Sequence, residues 1–229
     1  RLVIEEGDPV LIIPQLAKTI DAKFVFWNKS IEPYEINRDL QIKKNLKEKN
    51  IQVIESWDHL LVEPLKIFSG NNKPYSVYGP FYKNLKSKMN LLGSYDQNKV
   101  NFQFKDIDNK LKENKIIDSS DSVLKTFLKN IKFSGSNICP CRPGENAAKK
   151  LLENFIYEKK IFSYNSARDF PSHNGTSFLS ASLRFGTISI RKVWNATLNL
   201  NSDFESHENY LSIETWQKEL VWREFYQHC

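Results

Sequence analysis

The chain reads as an α/β protein: a doubly wound parallel-sheet domain in its first part, followed by an all-helical second part. Three observations predict this. Short apolar runs of strand character alternate with helical segments over residues 1–54, and that alternation means parallel strands joined by crossover helices. From Pro143 onward, apolar residues recur at spacings of three and four, the period of a buried helix face. Between them, residues 93–137 are rich in Lys, Asn, Asp and Ser and read as a connector. The predicted organisation is an α/β domain over 1–92, the connector over 93–137 and a helical domain over 138–229.

Each element has its own signal. Leu2–Ile4 is a short apolar run that predicts a buried strand. Asp8-Pro9 supplies an N-cap and an N1 proline for a helix over Val10–Ile20. Lys23–Trp27 (KFVFW) predicts a second strand, residues 33–50 a charged amphipathic helix, and Ile51–Ile54 a third strand. Parallel sheets of this kind take ligands at the carboxyl ends of their strands. Neither GxGxxG nor GxxxxGK[ST] occurs, so the two commonest phosphate fingerprints are missing. Further on, Gly79-Pro80 breaks the chain and Pro80 can open a helix. The connector holds one more helix candidate at Ser122–Leu128. Helices are then predicted over Gly144–Ile156, Ala181–Phe185, Ser189–Leu198 and Glu208–His228, with Tyr164–Pro171 (YNSARDFP) polar and irregular.

Composition narrows the function classes. Of 229 residues, 33 are Lys or Arg and 27 Asp or Glu, a net charge of +6 that favours a polyanionic partner without choosing among DNA, RNA and nucleotide. The three cysteines, Cys139, Cys141 and Cys229, form no secreted disulfide framework. Cys139-Pro-Cys141 lacks the second pair or histidine that a metal site needs, so no metal is expected. No apolar run approaches the ~20 residues of a membrane span, and no signal peptide is visible. The expectation is a cytoplasmic monomer with reduced thiols. The missing initiator Met and the strand-like RLVIEEGDP opening read as a piece of something longer.

Two stretches carry chemistry. In Thr215–Cys229, Glu219, Trp222, Arg223 and Tyr226 fall on one helical face, while Trp216, Leu220, Val221 and Phe225 cover much of the rest. A carboxylate and an arginine on so apolar a helix must be paired or must face a cavity that holds their partner. The second stretch is Gly175–Ser180 (GTSFLS). It puts the hydroxyls of Thr176, Ser177 and Ser180, and free backbone N–H groups, at a helix start, chemistry suited to a phosphate. Ser or Thr before a helix also serves as an ordinary N-cap.

GTSFLSASLRFGTISIRKVW followed by WQKELVWREFYQH resembles the flavin-binding domain of DNA photolyases and cryptochromes. YNSARDFP, PGENAAKKLLENF, YSVYGPFYKN and GDPVLIIPQLAKTIDAKFVFWNKSIEPY match the same family in the same order, and the bacterial class I cyclobutane-dimer photolyases look nearest. The resemblance implies an antenna domain followed by the start of an FAD domain. It implies that Tyr164, Thr176, Ser177, Leu179 and Ser180 hold FAD, that Trp216 lines the flavin pocket, and that Arg223 lies in the flavin and substrate cavity. By the same resemblance Glu219 hydrogen-bonds the damaged pyrimidines and Trp222 packs against them, the two acting as catalytic residues. Arg223 and Tyr226 join them in facing the substrate, and Arg184 faces an antenna chromophore, a folate or a deazaflavin. The implied function is light-driven repair of pyrimidine dimers in DNA by electron transfer from reduced FAD.

The chain opens partway into the antenna domain and stops directly after WREFYQH. The expectation is therefore that these residues alone hold flavin poorly and repair nothing. A cryptochrome, a signalling flavoprotein of the same fold, is the first alternative; the presence of both Glu219 and Trp222 favours repair. A basic α/β nucleotide- or RNA-binding module is the second, and flavin absorbance discriminates against it.

Overall fold

The computed structural model describes residues 2–3, 5, 7–91, 116–117, 142–198, 200 and 206–228. The cysteines and the helix expected at Ser122–Leu128 lie outside this set. The chain forms two compact units; the first runs to Ser56 and takes in residues 116–117, and the second begins at Trp57.

In the first unit, helix α1 (Pro9–Thr19) starts as expected: the Asp8 carboxylate accepts from the Val10 N–H at 2.9 Å, and Pro9 occupies the first turn. Pro14 sits inside α1 and has no N–H to give the carbonyl four residues back. That carbonyl, Val10 O, is instead met by Asn45 Nδ2 at 3.1 Å, from helix α2 (Pro33–Lys47). The proline defect thus becomes a tie between the two helices. Strands β2 (Phe24–Asn28) and β3 (Gln52–Ser56) are parallel, with Phe24 opposite Gln52 and Asn28 opposite Ser56. Asn50 takes a left-handed φ of 58° and turns the end of α2 into β3.

Side-chain alternation sorts this pair into two faces. Val25, Trp27 and Val53 pack on the core of Ala17, Ile42, Leu46 and Ile51, whereas Phe24, Phe26 and Ile54 are exposed. The α/β class holds, with one face of the parallel pair covered among the described residues. Strand β1 (Leu2–Val3) does not join that pair. It runs antiparallel to β4 (Ile116–Ile117), within the stretch expected to be connector.

The second unit begins earlier than the sequence organisation suggests. The apolar run Leu60–Val62 is buried, and helix α3 (Tyr78–Leu91) buries Phe81 and Leu85 in the same core as the later helices. This segment therefore divides from the α/β unit after Ser56, not near residue 92. Helix α4 (Glu145–Tyr157) contributes Ala148, Leu152 and Phe155, spaced for one face. A 3-10 turn (Lys160–Ser163) leads into the short α5 (Tyr164–Ala167), followed by α6 (Ser180–Arg184) and α7 (Ile190–Leu198).

Helix α8 (His207–His228) is the spine of this unit. Its buried stripe is Ser212, Ile213, Trp216, Leu220, Val221, Glu224 and Phe225, which follows the helical period. The helix is thus not buried all round: Glu219, Trp222 and Arg223 are half-buried and Tyr226 is exposed.

Candidate functional site

Glu219 finds its partner on another element. Arg168, just past the end of α5, brings Nη1 to Glu219 Oε1 at 2.5 Å and stands over the Tyr164 ring at 5.8 Å. The Glu219 hydrogen bond is the main cause that raises the Arg168 guanidinium above its already high ordinary value. Both partners are about one-third exposed or more, where an ion pair contributes only ~0.2–1 kcal/mol. The pair therefore orients the carboxylate more than it stabilises the fold. Tyr164 is buried against Phe155, edge to face, and its phenol is pushed up by burial and then by Glu219. It remains neutral, and its oxygen accepts from the Arg168 guanidinium.

One turn along α8, Trp222 stacks on Tyr78 of α3 with ring centroids 3.8 Å apart and planes at 10°. Tyr78 also stacks on Tyr82 at 5.9 Å, and Trp222 on the exposed Tyr226 at 5.7 Å. The Tyr78 hydroxyl donates to Lys218 O at 3.0 Å, and burial pushes the phenol up to about 12. Tyr82 donates to Glu214 Oε1 at 3.3 Å. Four aromatic rings thus line one side of α8, with Glu219 beside them.

The GTSFLS segment is brought against α5 by a contact only glycine permits. A Cβ on Gly175 would stand 2.5 Å from Ala167 Cβ. Leu179 is buried, Thr176 and Ser177 are half-buried, and Ser180 is exposed at the start of α6. None of the three hydroxyls has a hydrogen-bond partner among the described residues. Helix α6 has no side-chain cap, so the N-cap reading of these hydroxyls is not the one realised. With five residues the helix has little macrodipole, which leaves hydroxyls and loop N–H groups as the available donors. Phe178 is left-handed (φ 53°) and exposed, a backbone state that costs a bulky residue ~1–2 kcal/mol.

Arg223 does not pair with Glu219. Its Nη1 donates to His59 O at 2.9 Å and lies 3.3 Å from Glu224 Oε1, and its Nη2 lies 2.7 Å from His59 Nε2. Glu224 is fully buried and accepts the Leu61 N–H through Oε2 at 2.9 Å. Burial pushes its carboxyl up to about 8, against the opposing pull of Arg223 and the backbone N–H groups of Leu61 and Val62. His228, one turn later, brings Nε2 to 3.9 Å from Glu224 Oε2, and burial lowers its pKa.

The structure therefore brings Glu219, Trp222 and Tyr226 together and gathers Tyr164 with them through Arg168. Arg223 turns to the loop at residues 59–62, and Trp216 is a core residue packed on Phe155 at 5.2 Å. Both face inward because their neighbours on the buried stripe do. Arg184 is exposed and lies close enough to His59 and Arg223 to oppose their protonation. Among the described residues no cluster of metal-ligating side chains occurs and no helix is long and apolar enough to cross a membrane.

Sequence reasoning missed Arg168, Tyr78, His59 and Glu224. Only Glu224 had a local signal, a carboxylate four residues from Leu220 and three from Val221, inside the apolar stripe. The other three depend on contacts 51 to 164 residues apart in sequence.

The DNA photolyase family model matches residues 1–100. The deoxyribodipyrimidine photo-lyase of Synechococcus sp. is 39% identical over 231 aligned residues, covering 100% of this chain and 46% of that protein. Among solved structures, a bacterial class III photolyase from Agrobacterium tumefaciens superposes with a TM-score of 0.70 at 28% identity, over 100% of this chain and 45% of its own. A Synechocystis cryptochrome gives 0.71 at 18% identity over the same shares, a likeness of fold. The chain belongs to the DNA photolyase family and spans about half the length of these relatives.

Proposed function

We propose that this chain carries the lesion-facing and flavin-facing wall of a light-dependent photolyase that repairs cyclobutane pyrimidine dimers in DNA. The observation that carries the reading is the Glu219 carboxylate, fixed by Arg168, beside a Trp222 ring backed by Tyr78. A lesion taken out of the base stack needs a flat aromatic receiver and a polar group for the base edge, and these residues supply both. Stacking on an aromatic contributes ~1–3 kcal/mol per base, comparable to the few kcal/mol of extrusion, and a dimer is already poorly stacked. Glu219 is the hydrogen-bonding group, Trp222 the receiving surface and Tyr226 a further aromatic contact.

The residues present also fit FAD. Thr176, Ser177 and Ser180 offer hydroxyls with no partner among the described residues, held near Tyr164 by the Gly175–Ala167 contact. They would hold the diphosphate, and Leu179 and Tyr164 would pack beside it. Reduced FAD, when bound, supplies the electron that opens the cyclobutane ring. A folate or deazaflavin antenna belongs to the same reading, with Arg184 as its candidate contact, as do DNA as partner and a cytoplasmic monomer. Trp216 supports the flavin wall from the core, and Arg223 sits behind the lesion face.

Repair of a thymine-dimer oligonucleotide under blue light, by the protein that carries this chain, tests the proposal. Repair that needs light and falls in Glu219→Ala supports it. Light-responsive flavin without repair moves the reading to a cryptochrome. Absence of flavin absorbance moves it to a nucleotide- or RNA-binding module.

A further inference from the structure

The pair Arg223–His59 carries a constraint that distances alone impose. Arg223 Nη2 lies 2.7 Å from His59 Nε2, and a guanidinium has only donors. Nε2 must then offer its lone pair, which puts the single ring proton on Nδ1 and makes the imidazole neutral. The same guanidinium donates to His59 O through Nη1 and leans on Glu224 Oε1, so two atoms of His59 in the loop and one carboxylate oxygen of α8 fix it. Glu224 in turn holds the Leu61 N–H, tying that loop to the helix. Arg191 of α7 binds Asp58 Oδ1 and Trp57 O, both at 3.1 Å, and anchors the loop from its other end.

We propose that His59 is a positioning residue for Arg223: as the neutral Nδ1–H tautomer it keeps the guanidinium against the 59–62 loop, and its protonation releases Arg223 toward Glu219. An imidazolium would set N–H against N–H at Nε2 and add a positive charge beside Arg223 and Arg184. Burial is the chief opposition to its protonation. Of the charged groups facing it, Arg223 of α8 and Arg184 of α6 add to that opposition and Asp58 of its own loop counters it, so the imidazole titrates below its usual range. Glu224 stands behind Arg223, and Arg191 partly neutralises Asp58. Once freed, Arg223 has Glu219 four residues before it on the same helix, the spacing at which side chains meet. It then competes with Arg168 for the carboxylate. This consequence for substrate rests on the proposed function; the clasp itself does not.

Long-range 15N–1H NMR of the imidazole, with the Arg223 side-chain resonances followed from pH 8 to 5, tests the clasp directly. The expected result is an unprotonated Nε2 at neutral pH, a midpoint below the ordinary 6.5, and Arg223 signals that move with that same midpoint. In His59→Gln the amide oxygen can accept from Arg223 without titrating, and the Arg223 signals stay fixed. A protonated Nε2, a midpoint at or above 6.5, or unchanged Arg223 titration in His59→Gln overturns the proposal. Dimer-oligonucleotide affinity measured in parallel falls with the same midpoint in the wild type and not in His59→Gln. If dimer-specific binding is absent at every pH while the NMR signature is present, the lesion reading fails and the clasp stands.

Discussion

Trp222 and Tyr78 lie face to face, 3.8 Å between ring centroids and 10° from parallel, although 144 positions separate them in sequence. Tyr78 closes one face of the indole, and Tyr226 stacks on the same indole at 5.7 Å, so Trp222 is held within a run of aromatic rings. Because Tyr78 OH is also fixed on Lys218 O, the indole is backed by a ring that is itself held at both ends. That relation turns a surface tryptophan into an oriented one.

Tyr78→Phe keeps the stack and loses one hydrogen bond, so it destabilises by about 1 kcal/mol. Tyr78→Ala also loses the stacking, ~0.5–1.5 kcal/mol beyond area, and leaves a cavity, for a total near 3–5 kcal/mol. Urea unfolding followed by circular dichroism measures both. Near-UV dichroism provides the second check: the aromatic signal survives in Phe and collapses in Ala. Equal losses in the two variants would remove the stack as the orienting contact.

Arg168 and Glu219 separate orientation from stability. With both side chains part-exposed, a double-mutant cycle on unfolding is expected to give a coupling of ~0.2–1 kcal/mol. Arg168→Ala should nevertheless lower dimer-oligonucleotide binding by at least tenfold, because Glu219 loses the group that aims it. Arg168→Lys should recover stability but not full binding, since an ammonium lacks the planar fork. Binding unaffected by Arg168→Ala would mean that Glu219 is aimed by something else.

Gly175 is expected to tolerate no side chain while Ala167 is in place. Its Cβ would stand 2.5 Å from Ala167 Cβ and 3.3 Å from the Ala167 carbonyl carbon and oxygen. Gly175→Ala should cost ~1–3 kcal/mol as overpacking. The swap Gly175→Ala with Ala167→Gly should recover part of it, because the side-chain clash is removed and the backbone contacts persist. Thermal unfolding of the three variants checks this order.

These contacts show which parts of the molecule the sequence could disclose. Asp8-Pro9 announces α1 because a cap and an N1 proline act within four residues, and the bonds appear as read. The repair of the Pro14 defect by Asn45 was hidden, because it depends on how α1 and α2 lie together. At the candidate site, the spacing of Glu219, Trp222 and Tyr226 on one face was legible from helical periodicity. The partner of Glu219 was not: Arg223 at i+4 is the local choice, and the long-range Arg168 takes its place. Arg223 loses that contest because His59 O and Nε2 offer it two half-buried acceptors. The early boundary at Ser56 was equally a matter of tertiary packing, since Leu60–Val62, Phe81 and Leu85 are apolar enough for either unit.

The pH dependence of stability follows from the buried end of the same cluster. Glu224 has a folded pKa of about 8 against an ordinary 4.5, so between those values the fold keeps a proton that the unfolded chain has released. Its stabilising share is therefore complete below about 4.5 and is lost as pH rises through 8. His59 and His228 act in the opposite sense. Their folded pKa values are depressed, chiefly by burial, so the unfolded chain takes up protons below 6.5 that the fold refuses, and stability falls on acidification. The histidines and Glu224 oppose one another below 6.5, and above it Glu224 acts alone. Stability measured by urea unfolding should thus decline from pH 6.5 to 8, by about 1–2 kcal/mol at ~1.4 kcal/mol per proton per pH unit. Glu224→Gln, neutral throughout, should flatten that limb while leaving the acid limb of the histidines intact. Glu224→Ala should instead lose ~1–3 kcal/mol at pH 6.5 and below, because the Leu61 N–H is left without its acceptor while Arg223 keeps only His59. A wild-type profile that is level between pH 6.5 and 8 would mean that Arg223 and the two backbone N–H groups hold Glu224 ionised and outweigh its burial.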